Sequence, residues 1–324
     1  PFSKYEIKGN KAHEELQRLC TANIKNEIGK CTYTHMLNEG AGIEADLTVV
    51  CIEKDHFRII SSAAVRTHDK AHILKHLSKD LEFKDVTDEL ICLGIFGPKS
   101  RDLLSKITQD DLSNENFKFS TSKNIKLNSI NVWAQRLSYV GELGYEIYIQ
   151  KENAKEIYDL IVNTGKNFGL THCGAHTMDT MRMESGFLHW GHDISPEENQ
   201  YQAGLNFAIS YKKPFDFIGK ENLLKIKDQK LERRFVMLVL KDNTPGKPLL
   251  LHEEPIYLDD NIVGKTTSGN YSFNYNKNLS FGYINSQFSN EQLVDKNLYI
   301  EIEKKKYPAE LLIKPLKMHN FKDI

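Results

Sequence analysis

The pattern of apolar residues changes character near Leu231, and that change leaves few architectures open to the chain. Upstream, helical and strand-like spacings alternate. Residues 68–80 carry Ala71, Leu74 and Leu77 at helical spacing, and residues 152–168 place Ala154, Ile157 and Ile161 inward in the same way. Between them lie short β-branched runs at 47–52, 57–60, 90–96, 132–140 and 145–149, each of strand length. Gly97-Pro98 ends one of these runs, and Pro98 suits the start of a helix through Leu103, Leu104 and Ile107. Downstream, runs at 235–240, 255–258, 280–284, 298–303 and 310–313 predict strands, with one short helix over 290–294. The charged segment 228–234 marks the boundary. The expected fold class is α+β, with residues 1–230 as a mixed region and residues 231–324 as a small β-barrel or sandwich.

Charge and cysteine content narrow the function. With 43 basic and 44 acidic residues the net charge is −1, so no electrostatic surplus draws nucleic acid or an anionic membrane. No apolar run reaches the roughly 18 residues of a membrane helix. The five cysteines are Cys20, Cys31, Cys51, Cys92 and Cys173. They are odd in number and contain no Cys-x-x-Cys, which argues against a disulfide framework or a zinc site and for a reducing, cytoplasmic setting. The chain begins Pro1-Phe2-Ser3, with no initiator Met and no basic-then-apolar leader, as expected of a processed chain or part of a longer one. Lys304-Lys305-Lys306 reads as a solvated hairpin tip.

Four segments carry candidate chemistry. Gly40-Ala41-Gly42-Ile43-Glu44-Ala45 has the form of a dinucleotide fingerprint, but a polar stretch precedes it and a strand follows, so it reads as a glycine turn. That turn delivers Asp46 to the head of an apolar strand, where desolvation would raise its pKa toward proton-transfer work. Taken alone, Asp46 is equally a turn residue bonding its own backbone. In Ser138-Tyr139-Val140-Gly141-Glu142-Leu143-Gly144-Tyr145-Glu146, two glycines form a tight turn with Tyr139 and Glu146 on its arms. Glu146 offers an acceptor fork for a ring N–H beside an exocyclic amine, as in pterins and guanines, and Tyr139 offers a ring face and a hydroxyl. An ordinary hairpin with surface charges fits the segment as well. His189-Trp190-Gly191-His192-Asp193 contains His-x-x-His, but Gly191 weakens a helix and no third ligand is indicated, so no metal is expected and the segment reads as a ligand-lining loop.

Read together, these motifs resemble one family. Glu39–Val49 resembles the Gly-Gly-x-x-x-Asp-Leu/Ile-Thr-Val segment of the folate-dependent aminomethyltransferases. That family includes the glycine-cleavage T-protein and the C-terminal halves of sarcosine and dimethylglycine dehydrogenases. Phe96–Arg101 is similar to its Gly-Pro-x-Ser-Arg turn, Ser138–Glu146 to its Ser-Tyr-x-Gly-Glu-x-Gly-Tyr/Trp-Glu hairpin, and Met181–Ile194 to its Arg-x-Glu-x-Gly…Gly-His-Asp block. Ala203-Gly204-Leu205, Phe217–Lys220 and Thr267-Ser268-Gly269 continue the likeness in order. His189–Ile194 and Asp111–Thr121 lean toward the dehydrogenase branch. Two positions depart: Met178 precedes Asp179 where T-proteins have Arg, and Gln202 stands where Glu is usual.

The resemblance implies a three-domain cloverleaf around a folate channel. It implies a catalytic role for Asp46 and pterin binding by Tyr33, Tyr139 and Glu146. The implied cofactor is tetrahydrofolate, with FAD only on a separate module or chain. The implied reaction captures a methylene or iminium unit from an N-methyl amine, such as sarcosine or dimethylglycine, as 5,10-methylenetetrahydrofolate. The alternatives are a T-protein aminomethyltransferase, a sulfonium demethylase of the same fold, or a non-catalytic folate-binding protein. The last of these carries a Lys-Gly-Cys-Tyr-x-Gly-Gln-Glu signature that is not found here.

Overall fold

Strands of period two, apolar on both faces, build the first two thirds of the chain. The computed structural model describes residues 2–231, 233–285 and 287–317. Pro1, and Glu232 inside the charged boundary segment, lie outside the described residues.

The first sheet comprises β1 (Phe2–Lys8), β2 (Cys31–Leu37), β3 (Ile43–Glu53), β4 (His56–Ser62) and β5 (Glu82–Asp85). Its order is β2-β3-β4-β1-β5, every pair antiparallel. Helices α1 (Ala12–Leu19) and α2 (Arg66–His76) cover one face, where Leu16, Leu19 and Ile73 pack on Leu47, Val49, Cys51 and Ile59. Alternation then sends Asp46, Thr48, Val50 and Ile52 to the other face. Register adds Cys31 opposite Val50, Tyr33 opposite Thr48 and His35 opposite Asp46. The glycine turn joins β2 to β3, and no helix follows it. Gly42 is required there, because a Cβ would lie 2.0 Å from the Pro196 carbonyl oxygen.

The second sheet comprises β6 (Leu90–Phe96), β7 (Thr121–Leu127), β8 (Ile130–Arg136) and β9 (Gly144–Gln150), in the order β6-β9-β8-β7. Helices α3 (Ser100–Leu104) and α4 (Ala154–Gly165) cover its far face, where Leu103, Leu104, Ile157 and Ile161 pack on Tyr145, Ile147 and Ile149. Alternation turns Glu146 and Tyr148 of β9, with Gln135 and Trp133 opposite them on β8, toward the first sheet. Tyr148 packs there with Cys31, Val50, Ile52 and Ile60, so the two sheets meet along a seam.

Beyond α5 (Ala175–Glu184) and α6 (Lys220–Lys227), the chain closes a six-stranded barrel. Its strands are β10 (Arg233–Leu240), β11 (Pro255–Leu258), β12 (Asn261–Ser272), β13 (Lys277–Asn285), β14 (Leu298–Ile302) and β15 (Lys305–Leu312), with α7 (Asn290–Leu293) before β14. The class is α+β, in three lobes with a C-terminal barrel. Glu303 and Lys304, at φ +49° and +64°, form the two-residue turn between β14 and β15, so the triple lysine does sit at a hairpin tip. Among the described residues no helix is long and apolar enough to cross a membrane.

Four local expectations need correction. Helix α2 spans Arg66–His76 rather than 68–80, and its buried residues are Asp69 and Ile73; Ala71 and Leu74 are exposed, while Leu77, just past its end, packs on the core. Helix α3 ends at Leu104, short of Ile107. Strands β8 and β9 are joined by a loop over 137–143, since pairing stops at Gln135 and Glu146, so Tyr139 is not on a strand arm. The longest barrel strand, β12, was not expected, because residues 264–270 are glycines and polar residues without apolar alternation. Its central residues Thr266, Thr267 and Ser268 are buried against polar partners instead. Thr267 and Ser268 donate to the Asp193 carboxylate at 2.5 and 2.8 Å, and Arg182 of α5 donates to Asp193 at 2.5 Å, to Asp179 at 2.7 Å and to Ser268 at 2.8 Å. This network pins the barrel to the rest of the chain.

Removing one partner of a buried ion pair strands the other charge. Asp193→Ala should therefore cost about 3 kcal/mol in urea unfolding, at the low end of the usual range because Asp179 still pairs with Arg182. A loss under about 0.5 kcal/mol, the size of an ordinary surface change, would show that the joint does not depend on this pair.

Candidate functional site

The seam is apolar where Val50, Ile52 and Tyr148 meet and polar around β2 and its neighbours. Asp46 lies on the polar side. Its side chain keeps 16% of its surface accessible, and its Oδ1 has no hydrogen-bond partner. Burial pushes the carboxyl up to about 7; the Tyr33 hydroxyl opposes the rise and the Asp69 charge adds to it. The carboxyl thus keeps a small accessible surface while its charge is heavily penalised.

Tyr33 has the same character. Its surface is 38% accessible, while burial and the neighbouring Asp46 hold its hydroxyl well above the usual phenol range. Its ring stacks on Phe207 with centroids 6.1 Å apart. Tyr139 reaches this group from the 137–143 loop. Its hydroxyl donates to the Leu188 carbonyl at 3.0 Å, and its ring stacks on Phe187. Burial raises its pKa, Arg182 opposes, and Asp46 adds to the rise. Asp46, Tyr33 and Tyr139 therefore share one environment.

Glu146 stands apart from them, on the facing sheet. It is 6% exposed, and the Tyr148 hydroxyl donates to its Oε2 at 2.8 Å. Burial pushes it up to about 7, and the Tyr148 bond opposes this. Its charge raises the Cys31 thiol, which places it at the Cys31 end of β2. Asp46 pairs with His35, four residues further along the strand, about 13 Å at 3.3 Å per residue. The two acids thus lie toward opposite ends of β2, with Tyr33 midway between them along the strand.

Sequence reasoning passed over His35. The Gln200 amide donates to its Nδ1 at 2.7 Å, so its proton sits on Nε2. That nitrogen lies 3.1 Å from the Tyr33 hydroxyl and 3.7 Å from Asp46. Burial lowers its pKa to about 3, keeping it neutral beside the acid. The available signal was the period-two spacing that puts His35 on the face of Tyr33. Arg182 was passed over too, being visible only as part of a motif.

The His189 and His192 rings lie 4.8 Å apart on the loop after α5. Among the described residues no three His, Cys, Asp or Glu side chains are grouped to hold a metal. Two outer clefts, one beside Arg18 and Phe217 and one beside Arg233 and Tyr283, are lined by none of Asp46, Tyr33, Tyr139 or Glu146.

Residues 1–213 match the family described as GCVT N-terminal domain, and residues 233–317 match the glycine cleavage T-protein C-terminal barrel domain. The chain is 37% identical to mitochondrial dimethylglycine dehydrogenase of Homo sapiens over 98% of its own length and 36% of that protein's. It is 30% identical to an aminomethyltransferase of Alkaliphilus metalliredigens over 99% of its length and 85% of that protein's. Its fold superposes on the glycine cleavage system aminomethyltransferase T from Bartonella henselae with a TM-score of 0.86, at 20% identity over 98% and 84% of the two chains. The chain thus spans about a third of the dehydrogenases it matches.

A carboxyl raised from 3.8 to about 7 by burial contributes stability that is full below about pH 4 and lost as pH rises through 7. Asp46→Asn removes that loss. The melting temperature of the ligand-free variant should gain on the wild type from pH 4 up to about pH 7 and level off above it. A pH-independent difference would mean that the Asp46 carboxyl ionises as in water.

Proposed function

Because the chain belongs to the glycine-cleavage T-protein aminomethyltransferase family, we propose that it transfers a one-carbon unit to tetrahydrofolate, capturing the methylene or iminium unit of an N-methyl amine such as sarcosine or dimethylglycine as 5,10-methylenetetrahydrofolate. The observation that carries this reading is the deep, partly wet Asp46 carboxyl with an unpaired oxygen and a pKa near 7. Such a group exchanges protons at neutral pH, and one of its oxygens has no hydrogen bond to hold.

The residues fit a reduced pterin. Glu146 has one oxygen engaged by Tyr148 and further lone pairs free for a ring N–H and the adjacent amine. Tyr33 and Tyr139 offer ring faces and hydroxyls on the side of Asp46. Bound tetrahydrofolate would supply the secondary amine that attacks the donor carbon. Asp46 holds or accepts the proton of that amine, and its charge favours the cation that develops beside it. His35, neutral and fixed by Gln200, keeps the Tyr33 hydroxyl and the Asp46 carboxylate in register. Holding amine and donor carbon side by side supplies much of the acceleration.

The greater identity to dimethylglycine dehydrogenase than to the aminomethyltransferase supports an N-methyl amine donor. On this reading a flavin module or subunit generates the iminium, and the chain supplies the folate half. The free thiols of all five cysteines fit a reducing compartment such as the cytoplasm. The proposal includes the division of the chain at 230/231, which limited proteolysis between Asp228 and Arg233 would test.

With tetrahydrofolate, an N-methyl amine and a flavin dehydrogenase supplied, Asp46→Asn should abolish formation of the methylene product while tetrahydrofolate affinity stays within about tenfold. Surviving turnover would remove the acid–base role. Glu146→Ala should weaken tetrahydrofolate binding by about 1–3 kcal/mol in calorimetry. Unchanged affinity would remove the fork.

A further inference from the structure

Gln135 lies directly across from Glu146 in the β8–β9 pairing, so the two side chains leave the sheet on the same face, toward the seam. It has no exposed surface, and neither its amide nitrogen nor its amide oxygen has a hydrogen-bond partner. Two residues along on the same face, the Trp133 Nε1 is also unpaired. Burying a carboxamide with both ends unmet is costly, and a chain can remove that cost with any apolar side chain of the same shape. The natural explanation for keeping it is a ligand that meets both ends, and the neighbouring Glu146 says which ligand edge lies there.

A carboxylate that grips the 2-amino group and N3–H of a pterin leaves an acceptor–donor pair on the flank of the ring, N1 and N8–H. A carboxamide matches it, donating from nitrogen and accepting at oxygen. In tetrahydrofolate and 7,8-dihydrofolate N8 carries a hydrogen. In folic acid it carries a lone pair, which would face the lone pairs of the amide oxygen. The opposite flank holds N5, which must stay open to the donor carbon.

We propose that Gln135 is a further pterin-binding residue, taking N1 and N8–H beside the edge held by Glu146, and that it selects reduced over fully oxidised folates. This rests on the reading of the seam as the folate site. The amide is a specificity determinant and touches no reacting atom. Sites that hydrogen-bond a ligand group discriminate strongly against analogues lacking it, because their own polar atoms are then left unpaired.

Calorimetric titration of tetrahydrofolate and of folic acid into the intact chain tests it. Gln135→Met, nearly the shape of Gln, should lose at least about tenfold in tetrahydrofolate affinity while folic acid changes by less than about threefold. Gln135→Leu should do the same. In the absence of ligand both variants should melt at or above the wild-type temperature, since an unmet buried amide has gone. Wild-type tetrahydrofolate affinity in both variants, an equal loss for both folates, or lowered melting temperatures would overturn the assignment. Glu146→Ala separates the two levels of the argument, because both folates carry the edge it holds. If that variant weakens both folates while Gln135→Met changes neither, the seam is the folate site and Gln135 is not part of its recognition. If wild-type protein binds no tetrahydrofolate, the folate reading falls and this assignment falls with it.

Discussion

Burying acids without cations to pair them is the constraint on which the rest of the structure depends. Asp46 and Glu146 sit on facing sheets of one seam, each raised by burial to a pKa near 7, and neither has a basic side chain bonded to it. Arginines are at hand in the fold but are committed elsewhere: Arg58 to Glu6, Arg66 to Asp85 and Asp88, and Arg182 to Asp193. No arginine is thus bonded to either acid, although the Arg58 guanidinium lies over Trp133 with its centre 6.0 Å from the ring. A ligand that brings N–H donors and a basic amine supplies what the two acids lack.

The remainder of the molecule holds the two faces of that seam in place. Each sheet rests its outer face on its own helices, so the inner faces are free to differ along their length. Where Val50, Ile52, Ile60 and Tyr148 meet, the faces close on each other. Elsewhere they present Asp46, Tyr33, His35, Glu146 and Gln135. The polar joint of Arg182, Asp193, Thr267 and Ser268 ties the barrel to the loop that supports Tyr139 through Phe187 and Leu188. A barrel fixed by charge-assisted hydrogen bonds holds a direction as well as a distance, which suits a residue that must meet the pocket from outside both sheets.

How much of this was legible in the sequence follows from which signal each element carries. Strands with apolar alternation, such as β6 and β11, could be read to the residue, and so could the turn at Lys304, because period and turn chemistry are local. The inner face of α2 could not be read, because its buried positions include Asp69, a residue that local hydropathy assigns to solvent. Strand β12 was invisible for the same reason on a larger scale: Thr267, Ser268 and Asn270 are held by polar partners far away in the chain. Asp46, Glu146 and Tyr139 were singled out through motif resemblance; the seam position of the two acids follows from strand alternation, whereas the loop position of Tyr139 did not show in the sequence. His35 and Gln135 have no motif. Their meaning lies in a cross-strand register and in hydrogen bonds made or missing, which only the fold supplies.

The most direct test is a crystal structure of the chain grown with tetrahydrofolate. The account predicts the pterin between the two sheets, its N3–H and 2-amino group within about 3 Å of the Glu146 oxygens and its N5 on the side of Asp46. A pterin bound outside the seam, or one in the seam with neither acid within hydrogen-bond reach, would contradict it.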